Sequence, residues 1–123
     1  MVDADFTEAD FSGTVFEGAV LINSNFSRAN FNNTKFIEFV NLGVANFSDS
    51  TFKNADFTRC DFLSIRDAKF SNCDLSGSEF PAEDCIRWEK ANFSKANLTN
   101  TNFHSSIDLT QIIIDNQTLM HNK

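Results

Sequence analysis

The chain has 123 residues, 41% hydrophobic and 22% charged, which is the size and balance of one globular domain. Seventeen acidic against ten basic residues leave a formal charge of -7, which argues against non-specific binding to nucleic acid or to anionic membrane and leaves cationic partners open. Three cysteines, none in a CxxC spacing, suggest neither a disulfide framework nor a zinc site.

The opening residues, MVDADFTEAD, are acidic and hold no apolar run, so no signal peptide is expected, and no later stretch approaches a membrane span. A cytoplasmic protein follows, unless a targeting segment has been removed. From Phe6 a large apolar residue recurs at every fifth position: Phe6, Phe11, Phe16, Leu21, Phe26, Phe31 and Phe36. One extra residue precedes Leu42, and Phe47, Phe52, Phe57 and Phe62 follow. After a longer break come Phe70, Leu75 and Phe80, and after another come Trp88, Phe93, Leu98, Phe103, Leu109 and Ile114, with Leu119 a fraying candidate. Of the fifteen phenylalanines only Phe39 falls outside this series.

Two residues before each centre the side chain is almost always small, as at Ala4, Ala9, Thr14, Ala19, Ser24, Ala29, Cys60 and Cys73. One residue before it, Asp or Asn is favoured, as at Asp5, Asp10, Asn25, Asn46, Asp56 and Asn92. A period of five suits neither a helix face nor a strand face. On an extended backbone, however, a large and a small residue two apart point the same way, which leaves the other three to face water or turn a corner.

This pattern resembles the pentapeptide-repeat proteins, whose repeat reads roughly Ala, Asp or Asn, Leu or Phe, then two polar residues. The resemblance runs from about Ala4 to Ile114. It implies an all-β fold, a right-handed quadrilateral parallel β-helix or pentapeptide-repeat solenoid, in which each five-residue unit is one side of a square and four units make a coil. About five coils are expected, spanning residues 1–119 as a single domain, with 120–123 as a tail. Stacking by fours gives face one Phe6, Phe26, Phe47, Phe70, Phe93 and Ile114, and face two Phe11, Phe31, Phe52, Leu75, Leu98 and Leu119. Face three is Phe16, Phe36, Phe57, Phe80 and Phe103, and face four is Leu21, Leu42, Phe62, Trp88 and Leu109. Three register breaks then lie at the corner between faces three and four, and a fourth, between Phe62 and Phe70, at the other corner of face four.

The interior columns read as packed core rather than a ligand tunnel. No catalytic residue, cofactor site or metal site is expected: His104 and His121 lack a nucleophile, a carboxylate dyad or a ligand spacing around them, and no enzyme activity is anticipated. Cys60 and Cys73 occupy small inward positions, which leaves Cys85 as the plausible reactive thiol.

Three exposed features carry the functional reading. Residues 1–27 hold Asp3, Asp5, Glu8, Asp10 and Glu17 without a Lys or Arg. Outward apolar residues gather at Val15, Val20, Ile22, Ile37, Phe39 and Val44, a side patch suited to an interaction. Two inserts, LSIRD with Leu63, Ile65, Arg66 and Asp67, and PAEDCI with Pro81, Glu83, Asp84 and Cys85, are expected to protrude as recognition elements. The reading that leads is a non-enzymatic structural or protein-interaction module. The alternative implied by the resemblance is a DNA-mimicking binder of type II topoisomerases, DNA gyrase or topoisomerase IV, giving protection from quinolones or related toxins. A rod of about five coils would span some 25 Å, over which duplex DNA carries roughly fifteen charges, against the -7 here. The last coil, with Ile112, Ile113, Ile114 and Leu119, offers an apolar end for a homodimer, with the side patch as the other candidate interface.

Overall fold

In the computed structural model, which describes residues 2–102 and 109–120, the chain winds as a four-sided parallel β-helix. Each side is a short rung, and rungs of successive coils pair in parallel. Side one runs Asp5, Asn25, Asn46, Lys69, Asn92, Ile113, and side two runs Asp10, Asn30, Thr51, Asp74, Asn97, Leu119. Side three runs Val15, Lys35, Asp56, Glu79, and side four Val20, Asn41, Ser64, Arg87. The rungs lengthen into a regular parallel sheet only at sides three and four, where β1 (Val15–Glu17), β2 (Lys35–Asn41), β3 (Asp56–Ser64) and β4 (Ile86–Arg87) lie in chain order. Among the described residues there are two 3-10 turns, Glu83–Cys85 and Leu109–Gln111, and no α-helix.

Each position of the repeat has a separate physical role. The centre side chain points inward: Phe26, Phe31, Phe36, Phe47, Phe52 and Phe93 are all fully buried. Because coils repeat at the spacing of paired strands, like rings stack upon one another. Phe31 and Phe52 lie 4.6 Å apart at 5°, and Phe36 and Phe57 4.5 Å apart at 8°, while neighbouring columns meet edge to face, as do Phe26 and Phe31 at 65°. The residue two before the centre fills the space beside the rings and must be small. Where it is a hydroxyl it donates to the centre carbonyl three residues back, as Thr34 does to Phe31 at 2.7 Å and Ser50 to Phe47 at 2.6 Å, so no buried polar group is orphaned there. The Asp or Asn before the centre accepts the backbone N–H two residues on, closing an Asx-turn at Asp5, Asp10, Asn25, Asn30, Asn46, Asp56, Asp74, Asn92 and Asn97.

The second residue after the centre turns the corner in the left-handed region, with φ between 56° and 72° at Glu8, Gly13, Gly18, Asn23, Arg28, Asn33, Glu38, Val44, Asp49, Asn54, Asp67, Asn72, Gly77, Lys90 and Lys95. Gly77 has a second reason to lack a side chain: an added Cβ would collide with the Asn54 side-chain oxygen. The interior has no cavity among the described residues, so the columns are packed core.

The structure corrects the register in two places. Ile65, not Phe62, is the fourth-side centre of its coil. Ile65 is 1% exposed, its N–H donates to Arg87 as a centre should, and Asp67 two residues later takes the left-handed turn. Phe62 is half-buried and turned outward. The break therefore falls between Phe57 and Ile65, at the same corner as those before Leu42 and Trp88. At the C-terminal end Leu119 takes the rung beside Asn97 and is 54% exposed, and Met120 packs against the core in the place expected for Leu119. Phe103, His104 and His121 lie outside the described residues.

Candidate interaction surface at the bulged corner

Every passage from side four to one, one to two and two to three keeps the five-residue step, from Phe6 to Leu98. All variation falls between sides three and four. The first coil makes that corner tightly, Phe16 to Leu21, with Gly18 at φ 60°; the second inserts Phe39; the third and fourth add longer bulges before Ile65 and Trp88. Register shifts between Lys35 and Ile37 and between Glu38 and Phe39 absorb the difference within β2 and β3. A bulge here costs the core nothing, because Val40, Leu63 and Ile86 still stack inward beneath it, each at 4% exposure or less.

The inserted residues build an outward ladder. Phe39, 45% exposed, pairs in register with Phe62, and the rings stack at 5.1 Å and 10°. The Arg87 guanidinium lies 5.7 Å from the Phe62 ring centre on the next coil. The expected outward apolar residues lie at the surface of sides three and four: Val15 and Val44 are exposed, Val44 at the corner between sides four and one, and Val20, Ile22 and Ile37 are half-buried. Val44 stands out in its own rung position. Its φ is 61°, a region in which a β-branched residue is a true outlier, and the coils on either side place Asn23 and Asp67 there. Phe62 completes the patch, and counting by fives hides it by drawing its ring into the core.

Acidic groups border the ladder. Glu17 occupies the rung of Ile37, one residue before Glu38, and the repulsion between the two carboxylates, with a smaller contribution from Asp61, raises the Glu38 carboxyl above the ordinary glutamate range. Among the described residues the ion pairs are Arg28 with Glu8, Lys53 with Asp74 and Arg66 with Glu89, so none of Glu17, Glu38 and Asp61 has a salt-bridge partner.

The expected inserts protrude only in part. Leu63 and Ile65 are core, at 0% and 1% exposure, because the break lies before them and not around them. Arg66 and Asp67 are exposed. Pro81 is buried, whereas Glu83 opens a 3-10 turn that presents Asp84 and a half-buried Cys85. Burial pushes the Cys60 and Cys73 thiols up to about 12; Cys60 donates to the Phe36 carbonyl at 3.2 Å and Cys73 lies 3.3 Å from the Ser50 hydroxyl. Cys85 is raised by desolvation and by Asp84. All three are free, and no group of His, Cys, Asp and Glu among the described residues could hold a metal ion. At the C-terminal end Ile112 is buried, and Ile113, Ile114 and Leu119 are exposed. No helix of the described residues is long and apolar enough to cross a membrane.

No curated protein matches the sequence. The chain is similar in structure to a pentapeptide repeat protein of the Arabidopsis thaliana thylakoid lumen, at 22% identity and a TM-score of 0.40 over 81% of this chain and 68% of that one. It is similar also to HetL, a pentapeptide repeat protein involved in heterocyst differentiation regulation from the cyanobacterium Nostoc sp. strain PCC 7120. That match has 14% identity and a TM-score of 0.48 over 83% of this chain and 61% of that one. A third likeness is to trypsin-treated QnrB1, a plasmid-mediated fluoroquinolone resistance protein, at 22% identity and a TM-score of 0.35 over 94% and 79%. The model of the pentapeptide repeats matches in eight copies over residues 1–36, 38–62 and 86–107, and the chain therefore belongs to the pentapeptide-repeat family.

Proposed function

We propose that this chain is a non-enzymatic protein-interaction module that docks a partner on the bulged corner between sides three and four. The observation that carries this reading is the outward ladder, in which Phe39, 45% exposed, stacks on Phe62 at 5.1 Å outside a core already filled by Val40 and Leu63. Inserted rings that the packed interior does not need, set on an exposed apolar surface, suit a binding role. The three unpaired cysteines suit a reducing compartment such as the cytoplasm. End-to-end pairing of two copies through Ile113, Ile114 and Leu119 accompanies this reading, and light scattering at micromolar concentration checks it: a monomer mass removes the dimer and leaves the corner untouched.

The alternative, a DNA-mimicking binder of DNA gyrase or topoisomerase IV, draws on the acidic first coil. Mimicry asks for a continuous anionic stripe. From the second coil on, Arg28, Lys35, Lys53, Arg59, Lys69, Lys90 and Lys95 interrupt it, and the generic module is favoured. Affinity capture from the source organism followed by mass spectrometry tests both. Bait carrying Phe39→Asp or Phe62→Asp is expected to lose the partner that wild type and the control Asn33→Asp, at the corner between sides two and three, retain. Equal recovery by all baits contradicts the corner, and recovery of a type II topoisomerase selects the alternative.

A further inference from the structure

The corner ladder is finished at one end and open at the other. On its C-terminal side the guanidinium of Arg87 lies against Phe62. On its N-terminal side Phe39 has no rung above it: Gly18 stands over Glu38, as its N–H to the Ile37 carbonyl at 3.1 Å shows, and Ala19 stands over Val40 through their successors Val20 and Asn41. Phe39 is the residue that the first coil lacks, and Gly18 projects nothing into the space above it, a Cβ there meeting no atom within 4 Å. The uncovered ring is thus an exposed aromatic face at a step in the helix, with two carboxylates beside it. Glu38 precedes Phe39 in the chain, and Glu17 occupies the rung of Ile37, one residue before Glu38. The nearest cations on this side, Lys35 and Arg59, occupy the rungs of Val15 and Ile37 and form no ion pair with either glutamate among the described residues.

From this arrangement we infer that the step formed by Gly18, Phe39, Glu17 and Glu38 receives an arginine side chain of the partner protein. The inference rests on the interaction-module reading and names the group that reading leaves open. A guanidinium is flat, stacks on an aromatic face, and offers paired N–H donors to carboxylates, so one side chain answers both halves of the step. The molecule already uses this chemistry at the other end of the same ladder, where Arg87 covers Phe62. A lysine ammonium satisfies the carboxylates but covers the ring less well, and an apolar side chain leaves both glutamates repelling each other.

The test is a heteronuclear NMR titration of the intact chain with N-acetyl-arginine amide, and in parallel with the lysine and the neutral citrulline derivatives. The arginine derivative is expected to bind saturably, with a Kd of the order of millimolar, and to shift Glu17, Gly18, Glu38 and Phe39. The lysine derivative should bind roughly threefold more weakly and citrulline at least about tenfold more weakly. Phe39→Leu, which keeps an apolar side chain, and Glu38→Gln should each weaken arginine binding roughly threefold or more while the resonances of sides one and two stay in place. Citrulline binding as well as arginine, lysine binding as well as arginine, shifts centred on Asp3 and Glu8, or unchanged affinity in both variants overturns the inference. A partner lost with Phe62→Asp while the arginine derivative fails to bind removes this inference and keeps the module; arginine binding at the step with equal capture by all baits does the reverse.

Discussion

Sides one and two and the corner between sides three and four are built from the same repeat and differ in what an inserted residue can do. Along side one the ring stacking is unbroken, Phe26 and Phe47 at 5.2 Å and Phe47 and Phe70 at 5.1 Å, and on side two it runs from Phe11 through Phe31 to Phe52, with Asx-turns repeating outside both. An extra residue there would rotate a ring out of a column in contact with rings above, below and beside it. At the three-four corner the chain already leaves the square, so additions extend outward while Val40, Leu63 and Ile86 hold the interior. One region therefore stores the stability and the other is free to carry recognition.

The largest expected effect separates a column ring from a corner ring. Phe57, 1% exposed between Phe36 and Phe80, should cost about 3 to 5 kcal/mol as Phe57→Ala, whereas Phe39→Ala should cost about 1 kcal/mol or less. Equal urea midpoints with equal slopes would erase the distinction. A smaller effect of opposite sign is expected at Val44, where Val44→Asn relieves the left-handed strain and should raise stability by about 1 kcal/mol. A variant no more stable than wild type would show that the strain is relieved elsewhere.

The acidic rim should act through pH. The Glu38 carboxyl is raised in the folded protein, chiefly by Glu17, so its contribution to stability is fully present below the unfolded glutamate range and is lost as pH rises through the raised value. Glu38→Gln should thus unfold at a higher temperature than wild type at neutral pH, with the difference vanishing near about pH 3. A constant difference would remove the repulsion. Smallest in energy is the thiol order: Cys85 should react first with a maleimide in the native state, and Cys60 and Cys73 only on unfolding.

Much of this was legible in the residues. The period of five, the small residue two before each centre, and the Asp or Asn one before it reflect backbone requirements that recur in every coil. The four columns follow from them, as does the surface position of Val15, Phe39 and Val44. The corner misleads because Phe62 lies five residues after Phe57 and is as apolar as any centre. Counting back from Phe70 gives Ile65 instead, and the deciding signal is Asp67, since the residue two after a centre must accept positive φ and Asp does so more readily than Ser64. Met120 escapes for a similar reason: the turn through Asp115 and Thr118 inserts one residue that a strict count cannot place.

The outward aromatic ladder, and every functional statement made from it, depends on Phe62 lying outside the core and Ile65 inside. Equilibrium urea unfolding of Phe62→Ala and Ile65→Ala measured side by side tests this directly. Ile65→Ala should lose about 2 to 4 kcal/mol and Phe62→Ala about 1 kcal/mol or less, both with the wild-type slope. The opposite order would return Phe62 to the core, close the corner and remove the ladder.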